Sequence, residues 1–262
     1  SGATVFIATN QDGVLSPGEL STTTDALGRF LFEGDIPDGS LIATGGTDIA
    51  TNQPFVGTLS GPQGTFVLSP LTTLVHQLLQ SGQAENIVAA EDILFQSLGI
   101  PRIDLSSFDP IDIGLDPDAS AEEQSAALQL QAITAQISNL LTVSSSLLSN
   151  VAGVTGDAMQ SMAGSLREIL VTAAQNDQVV DLTDLLTIQN VITTGAANSG
   201  IAGNIEAPVS QVATILAEIN TITQQAAENS NSDTQTAFSD IVKFQTLIQV
   251  QVVPKAVAAL KT

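Results

Sequence analysis

The chain has 262 residues, 43% of them hydrophobic, enough for a packed core in one large domain or two small ones, which excludes a disordered class. Aromatics make up only 3%, with no Trp and no Tyr, so Leu, Ile, Val and Ala must build the core and a stacking platform for sugars or flat ligands is disfavoured. The formal charge of −21 repels nucleic acid and anionic membranes and attracts cations, and the lack of cysteine excludes disulfides, thiol catalysis and zinc–thiolate sites.

In chain order, the first 67 residues carry short apolar runs between turn residues. The stretches ATVFIAT (3–9), GRFLFEG (28–34), GSLIATGG (39–46) and PFVGTLSG (54–61) each read as a strand, and GTFVLSP (64–70) as a last one. Turn signals at Asp12-Gly13, Pro17-Gly18, Asp38-Gly39 and Gly45-Gly46 separate them, the pattern of a small antiparallel β-sandwich.

From Ser69-Pro70, a helix start with Pro at its first position, the spacing becomes helical. Leu71, Leu74, Val75 and Leu78 make one apolar face. Ile87, Leu94, Phe95 and Leu98 make a second, ending at Gly99-Ile100-Pro101. A loop or short helical turn is expected between Asp109-Pro110 and Asp116-Pro117. A long helix over 119–150 and another over 156–175 follow. A shorter one should begin near Leu182 and stop before the glycine-rich region from Gly195 to Gly203. A helix over 207–229 presents Val209, Val212, Leu216, Ile219 and Ile222. The last segment fits a helix through Phe238, Ile241 and Phe244, while IQVQVV (248–253) also alternates like a strand. Helix is the favoured reading, and Pro254 limits either.

One stretch carries a metal-site pattern. In NQDGVLSPGE (10–19), Asn10, Asp12, Gly13, Val14 and Glu19 fall at places three, five, six, seven and twelve of a calcium loop. Such loops turn alternate oxygens inward around a glycine bend and close with a glutamate. Ala8 stands at place one, where a carboxylate is usual. An ordinary interstrand turn uses the same residue types, so both readings stand.

A family resemblance rests on ATVFIATNQDGVLSPGE followed by TTTDALGRFLF, residues 3–32. These resemble the B-type repeats of serine-aspartate-repeat surface adhesins and the wider group of prealbumin-like, carboxypeptidase-regulatory-like sandwiches. The resemblance implies a calcium-binding acidic loop with the Thr-Asp aspartate close by. It adds Asp25 to Asn10, Asp12, Glu19 and the Val14 carbonyl as metal candidates, although Ala8 and Ser16 depart from the pattern. Runs similar to TGGTD, then PLTTL, occur in very large secreted bacterial surface proteins.

Other candidates have plainer readings. His76 is the only histidine and is expected to be a surface or partly packed side chain. FDPIDIGLDPDASAEE (108–123) could hold a second calcium, with helix capping the favoured reading. Asp48 is expected in a turn.

Together these features predict an α+β chain. An N-terminal antiparallel β-sandwich, prealbumin-like, spans 1–67, and a C-terminal all-α bundle of six or seven helices spans 68–262. The expected function is non-catalytic: a calcium-stabilised structural or adhesive module of an extracellular bacterial surface or matrix protein. Its expected partners are neighbouring modules or other protein subunits, with no nucleic acid and no membrane insertion. The alternatives are a filament or sheath subunit that self-assembles through IQVQVV by strand addition, and a carboxylate-based hydrolase. With no basic-then-apolar leader at Ser1, the sequence reads as a mature piece or an excised region.

Overall fold

The computed structural model describes residues 1–10, 12–49, 51–150, 158–201, 205–228, 234–252 and 254. Six short strands come first: Thr4–Ala8 (β1), Ser21–Thr23 (β2), Ser40–Thr44 (β3), Thr47–Asp48 (β4), Gln53–Pro54 (β5) and Thr58–Gly61 (β6). Four of them form one antiparallel sheet in the order β2-β1-β3-β6, with Val5 opposite Thr22 and Ala43, and Ile42 opposite Ser60. β4 and β5 make a separate small hairpin containing Asp48 in its turn region, where Asn52 N–H donates to the Asp48 carbonyl at 2.8 Å.

The expected prealbumin-like sandwich is not what these residues build, because a sandwich packs two broad sheets face to face, and among the described residues the four-stranded sheet is accompanied only by the two-stranded β4–β5 hairpin. Alternation within GRFLFEG does sort its side chains. Phe30 and Phe32 pack against Val5, Ile7, Leu41 and Ala43, their rings edge to face at 6.0 Å, while Leu31 is 78% exposed. The segment nonetheless pairs with no strand and lies over the sheet as an extended strap. GTFVLSP also stays out of the sheet, since the amides of Phe66 and Val67 both donate to the Ser106 carbonyl, at 2.8 and 3.1 Å. β2 escapes sequence reasoning because Ser-Thr-Thr has no apolar residue to alternate.

Eight α-helices follow among the described residues: Pro70–Gln80 (α1), Ile87–Leu98 (α2), Pro110–Leu115 (α3), Ala121–Ser149 (α4), Ala158–Gln175 (α5), Leu185–Asn198 (α6), Glu206–Glu228 (α7) and Thr234–Leu247 (α8). Their starts are set by caps. Ser69 and Thr72 form a reciprocal capping box on α1, as Ser120 and Glu123 do on α4. Asn86, Asp109 and Asp184 cap α2, α3 and α6. Gly99, in the left-handed region at φ 63°, ends α2.

Two helical expectations need correction. α6 runs through Gly195 instead of stopping before it. A Cβ at that position would stand 1.6 Å from Met162 Cε, so this glycine serves close packing of α6 on α5. Ile222 is exposed on α7, while Asn220 and Thr223 take the buried positions. Ile248–Val252 is a π-helical turn and not a strand. Ile248 and Val252 are buried four residues apart, while Val250 points outward. The strand proposed for self-assembly is therefore absent at 248–252.

The sheet is fastened to the helices along β6. Ser60 N–H donates to Thr73 Oγ1 of α1 at 3.0 Å, and the Thr58 carbonyl accepts from Gln160 Nε2 of α5 at 3.3 Å. Gln77 Nε2 ties α1 to α5 through Gln160 Oε1 at 2.7 Å. Gly57 lies against Met159, where a Cβ would come within 2.2 Å of Sδ. β6 thus has its outer backbone groups covered, the ordinary protection for a sheet edge.

α4 is the central helix, about 43 Å long at 1.5 Å per residue, and it packs on α3, α5, α7 and α8. Its apolar face, Ile137, Leu140, Leu147 and Leu148, joins the core of the bundle. A polar knot crosses this core. Gln136 Nε2 donates to the Asn220 carbonyl at 3.1 Å, Asn139 Nδ2 to Asn220 Oδ1 at 3.3 Å, and Asn220 Nδ2 to the Leu182 carbonyl at 2.8 Å. All three side chains are buried. Such a network fixes one alignment of α4 against α7, since any axial slip strands buried amides. Asn220→Ala strands Asn139 Nδ2 and the Leu182 carbonyl, and should lower unfolding stability by about 2–3 kcal/mol in urea titration.

Candidate functional site

The loop from Thr9 to Glu19 leaves β1 at Ala8 and returns toward β2. Its two glycines, Gly13 at φ 71° and Gly18 at φ 95°, take backbone conformations that other residues resist. Glu19 closes the loop neck. One carboxylate oxygen accepts from Thr9 N–H at 2.8 Å and Thr9 Oγ1 at 3.2 Å, and the other from Ser16 N–H at 2.9 Å. Bonds to the ionised form hold the Glu19 carboxyl below its usual range, the Ser16 amide being the largest cause. Inside the loop, Asp12 accepts from Val14 N–H at 2.8 Å and from Asn10 Nδ2 at 2.9 Å, while Asn10 Oδ1 accepts from Asp12 N–H at 3.1 Å.

Asp25 belongs to a different turn. Its Oδ1 accepts from Leu27 and Arg29 amides at 2.8 and 2.9 Å, and those bonds lower its pKa, that of Arg29 most. Asn10, Asp12 and the Val14 backbone share the loop tip, Glu19 sits at its neck on backbone amides, and Asp25 serves the 25–29 turn. Ser16 links tip and neck, its Oγ donating to Asp12 Oδ2 at 3.4 Å and its N–H to Glu19 at 2.9 Å. The place-one residue adds no side-chain oxygen. Ala8 ends β1 opposite Ser40 and is 1% exposed, its side chain packed with Phe6 and Ile42, so that position faces the interior. Among the described residues no three His, Cys, Asp or Glu side chains converge in a metal-binding group. As arranged, the donors form a hydrogen-bonded clasp; a calcium site would gather six to eight oxygens around one point.

The other candidates fall into structural places. His76 is 6% exposed, on the side of α1 that also buries Thr72, Thr73 and Gln77. Burial lowers its pKa, which favours the neutral imidazole. In the acidic stretch, Asp109 caps α3, Glu123 completes the α4 capping box and Asp116 accepts from Asp118 N–H at 2.9 Å. Asp112, Asp118 and Glu122 are exposed. Capping, and not a gathered set of ligands, describes those acids.

Sequence reasoning missed two polar positions. Glu91 is 7% exposed and accepts from Leu105 N–H at 2.9 Å. Its burial raises the carboxyl pKa, with Asp104 and Asp92 adding to the effect. The other is the Gln77–Gln160–Thr58 junction. A signal for it existed in LTTLVHQLL, where polar residues recur three and four apart beside the apolar face. A shallow open hollow of about 350 Å³ between Pro101 and the first turns of α4 is lined by Glu122 of the acidic stretch but by neither Glu91 nor the Gln77–Gln160 junction.

Comparison with known protein families, curated proteins and solved structures finds no match. The resemblance to serine-aspartate-repeat adhesin modules and prealbumin-like sandwiches is thus corrected on two counts: the described strands form one four-stranded sheet and a two-stranded hairpin in place of a sandwich, and no family model matches.

Two outcomes follow for the loop. Glu19 has a folded pKa below its unfolded value of about 4.3, so its contribution is present above that pH and is lost as pH falls through the folded pKa. Glu19→Gln should therefore lower the thermal midpoint at pH 7, with the gap to the parent closing in acid; a gap unchanged from pH 7 to pH 3 would contradict the clasp. Calcium titration should leave the midpoint unchanged in the parent and in Asp12→Ala alike. A rise with calcium in the parent that Asp12→Ala removes would show that the loop reorganises around the ion.

Proposed function

We propose that the chain is a non-catalytic structural or adhesive module of an extracellular bacterial surface or matrix protein, and that it presents its sheet unit to protein partners. The observation that carries this is where apolar surface is left in water. Of the seventeen large hydrophobic side chains exposed among the described residues, eight lie within the first 67, including Leu31, Val56 and Phe66 at 75% exposure or more. The helical part buries most of its apolar residues in one large cluster and one smaller one, whereas the sheet unit has two small clusters and an exposed remainder. Concentrated exposed apolar surface marks interaction sites. A charge of −21 keeps such a surface soluble and biases it toward neutral or basic partners.

In this reading the Glu19 clasp and the β6 junction brace the unit, and no chemical step is required. The described helices include none long and apolar enough to cross a membrane. The alternative of a carboxylate-based hydrolase calls for turnover.

Adsorption of the full chain to an alkyl-coated sensor should fall several-fold when Leu31, Val56 and Phe66 are all replaced by Asp, with little change in thermal midpoint. Equal adsorption by both proteins would refute the interaction role. Hydrolysis of an ester, glycoside or peptide substrate that a single Asp or Glu substitution abolishes would establish the enzymatic one.

A further inference from the structure

The two edges of the four-stranded sheet are in unlike states. On β6, Ser60 and Thr58 give their outward backbone groups to Thr73 and Gln160. On β2 the backbone alternates in the usual antiparallel way. Thr22 faces Val5 of β1, the Leu20 carbonyl accepts from Ile7 N–H at 3.0 Å, and Thr24 N–H donates to the Ala3 carbonyl at 2.9 Å. Ser21 and Thr23 therefore turn their N–H and C=O groups away from the sheet, and β2 is its terminal strand.

The following residues do not close that edge. Asp25 N–H donates to the Arg29 carbonyl at 2.8 Å, so the chain reverses as a hairpin would. Continued pairing would set Leu31 opposite Thr23. Instead Phe30 and Phe32 pack onto the sheet face, and among the described residues the backbone of 30–33 has no protein partner. β2 carries no Pro or Lys, two of the devices that blunt natural edges.

We propose that this open edge accepts an extended segment of another protein by strand addition, and that the segment alternates apolar and basic residues. The backbone groups of Ser21 and Thr23 supply the ladder. Exposed Leu27 and Leu31, beside the edge in sequence, supply apolar contact. Charge selects the occupant. Exposed Glu33, Asp35 and Asp38 follow the strap, and Arg29 is the one basic residue in the first 67. A second copy carries the same −21 and is repelled, whereas a basic strand is drawn in. With only two outward residues on β2, the complex is weak and salt-sensitive. The proposal deepens the reading of the chain as an interaction module and rests on it.

The test is residue-resolved amide exchange on the full chain, with and without a synthetic peptide alternating valine and lysine. The peptide should slow exchange at Ser21 and Thr23 by about tenfold or more. High salt should weaken the effect, and the same peptide N-methylated at every second residue should lack it. Thr23→Pro, which removes an outward N–H and leaves the β1 ladder intact, should abolish the slowing at Ser21 without lowering the thermal midpoint. No slowing at millimolar peptide, or equal slowing by the N-methylated control, would overturn the proposal. So would slow exchange of Thr23 and Leu31 in protein alone, which would mean that 30–33 already closes the edge. Slowing that depends only on protein concentration would make the occupant a second copy and overturn it too. The adsorption result does not depend on the β2 backbone, so failure here with adsorption intact removes the edge site and leaves the module reading in place.

Discussion

The sheet depends on a pair of backbone hydrogen bonds made to side chains of the helices. Four short strands with two small clusters bury little apolar surface, and a unit of about 60 residues is marginal alone. Ser60 N–H on Thr73 and the Thr58 carbonyl on Gln160 convert one edge of that sheet into part of the helical body, and Gln77 ties the two helices that provide those side chains. Everything N-terminal to that edge is carried by it: β3, then β1, then β2. The Thr9–Glu19 loop hangs between the last two.

Polar groups recur wherever the molecule needs one arrangement and not several. The core of Leu, Ile, Val and Ala has few aromatic rings to lock its packing, so registration falls to amides and hydroxyls. Asn220 with Gln136 and Asn139 aligns α7 on α4, and Gln77 with Gln160 aligns α1 on α5. Glu19 performs the same task in the loop, where a carboxylate on two backbone amides fixes the neck that a metal ion was expected to hold. Burial of His76 on α1 lowers its pKa, so protonating it would work against the packing there.

Helices were legible in the sequence because their boundaries are chemical. Ser69-Pro70 and Asp109-Pro110 announce starts, and Gly99 announces an end, whatever surrounds them. Gly195 misled because a glycine that breaks a helix and one that admits Met162 look alike in one dimension. The strands were legible where a short apolar run between turns has a partner: β1, β3 and β6 qualified, β2 lacked the apolar residues, and 30–33 lacked the partner. The oxygen donors of the 10–19 loop were legible as a calcium loop or an interstrand turn. The sequence could not reveal that Ala8 points inward or that Glu19 would spend both oxygens on amides, because both depend on how β1 and the loop neck sit in three dimensions.

The central claim is that the sheet is held by the helices through β6. The most direct measurement is thermal unfolding followed by calorimetry and by methyl resonances from both the sheet and the bundle, for the parent chain and for Thr73→Val combined with Gln160→Ala. The parent should unfold in a single transition seen by both sets of methyls. The double variant should lose the sheet signals, Val5, Ile7 and Leu41, at a lower temperature than those of Leu140 and Leu147. Loss of all signals together at the parental temperature would contradict it.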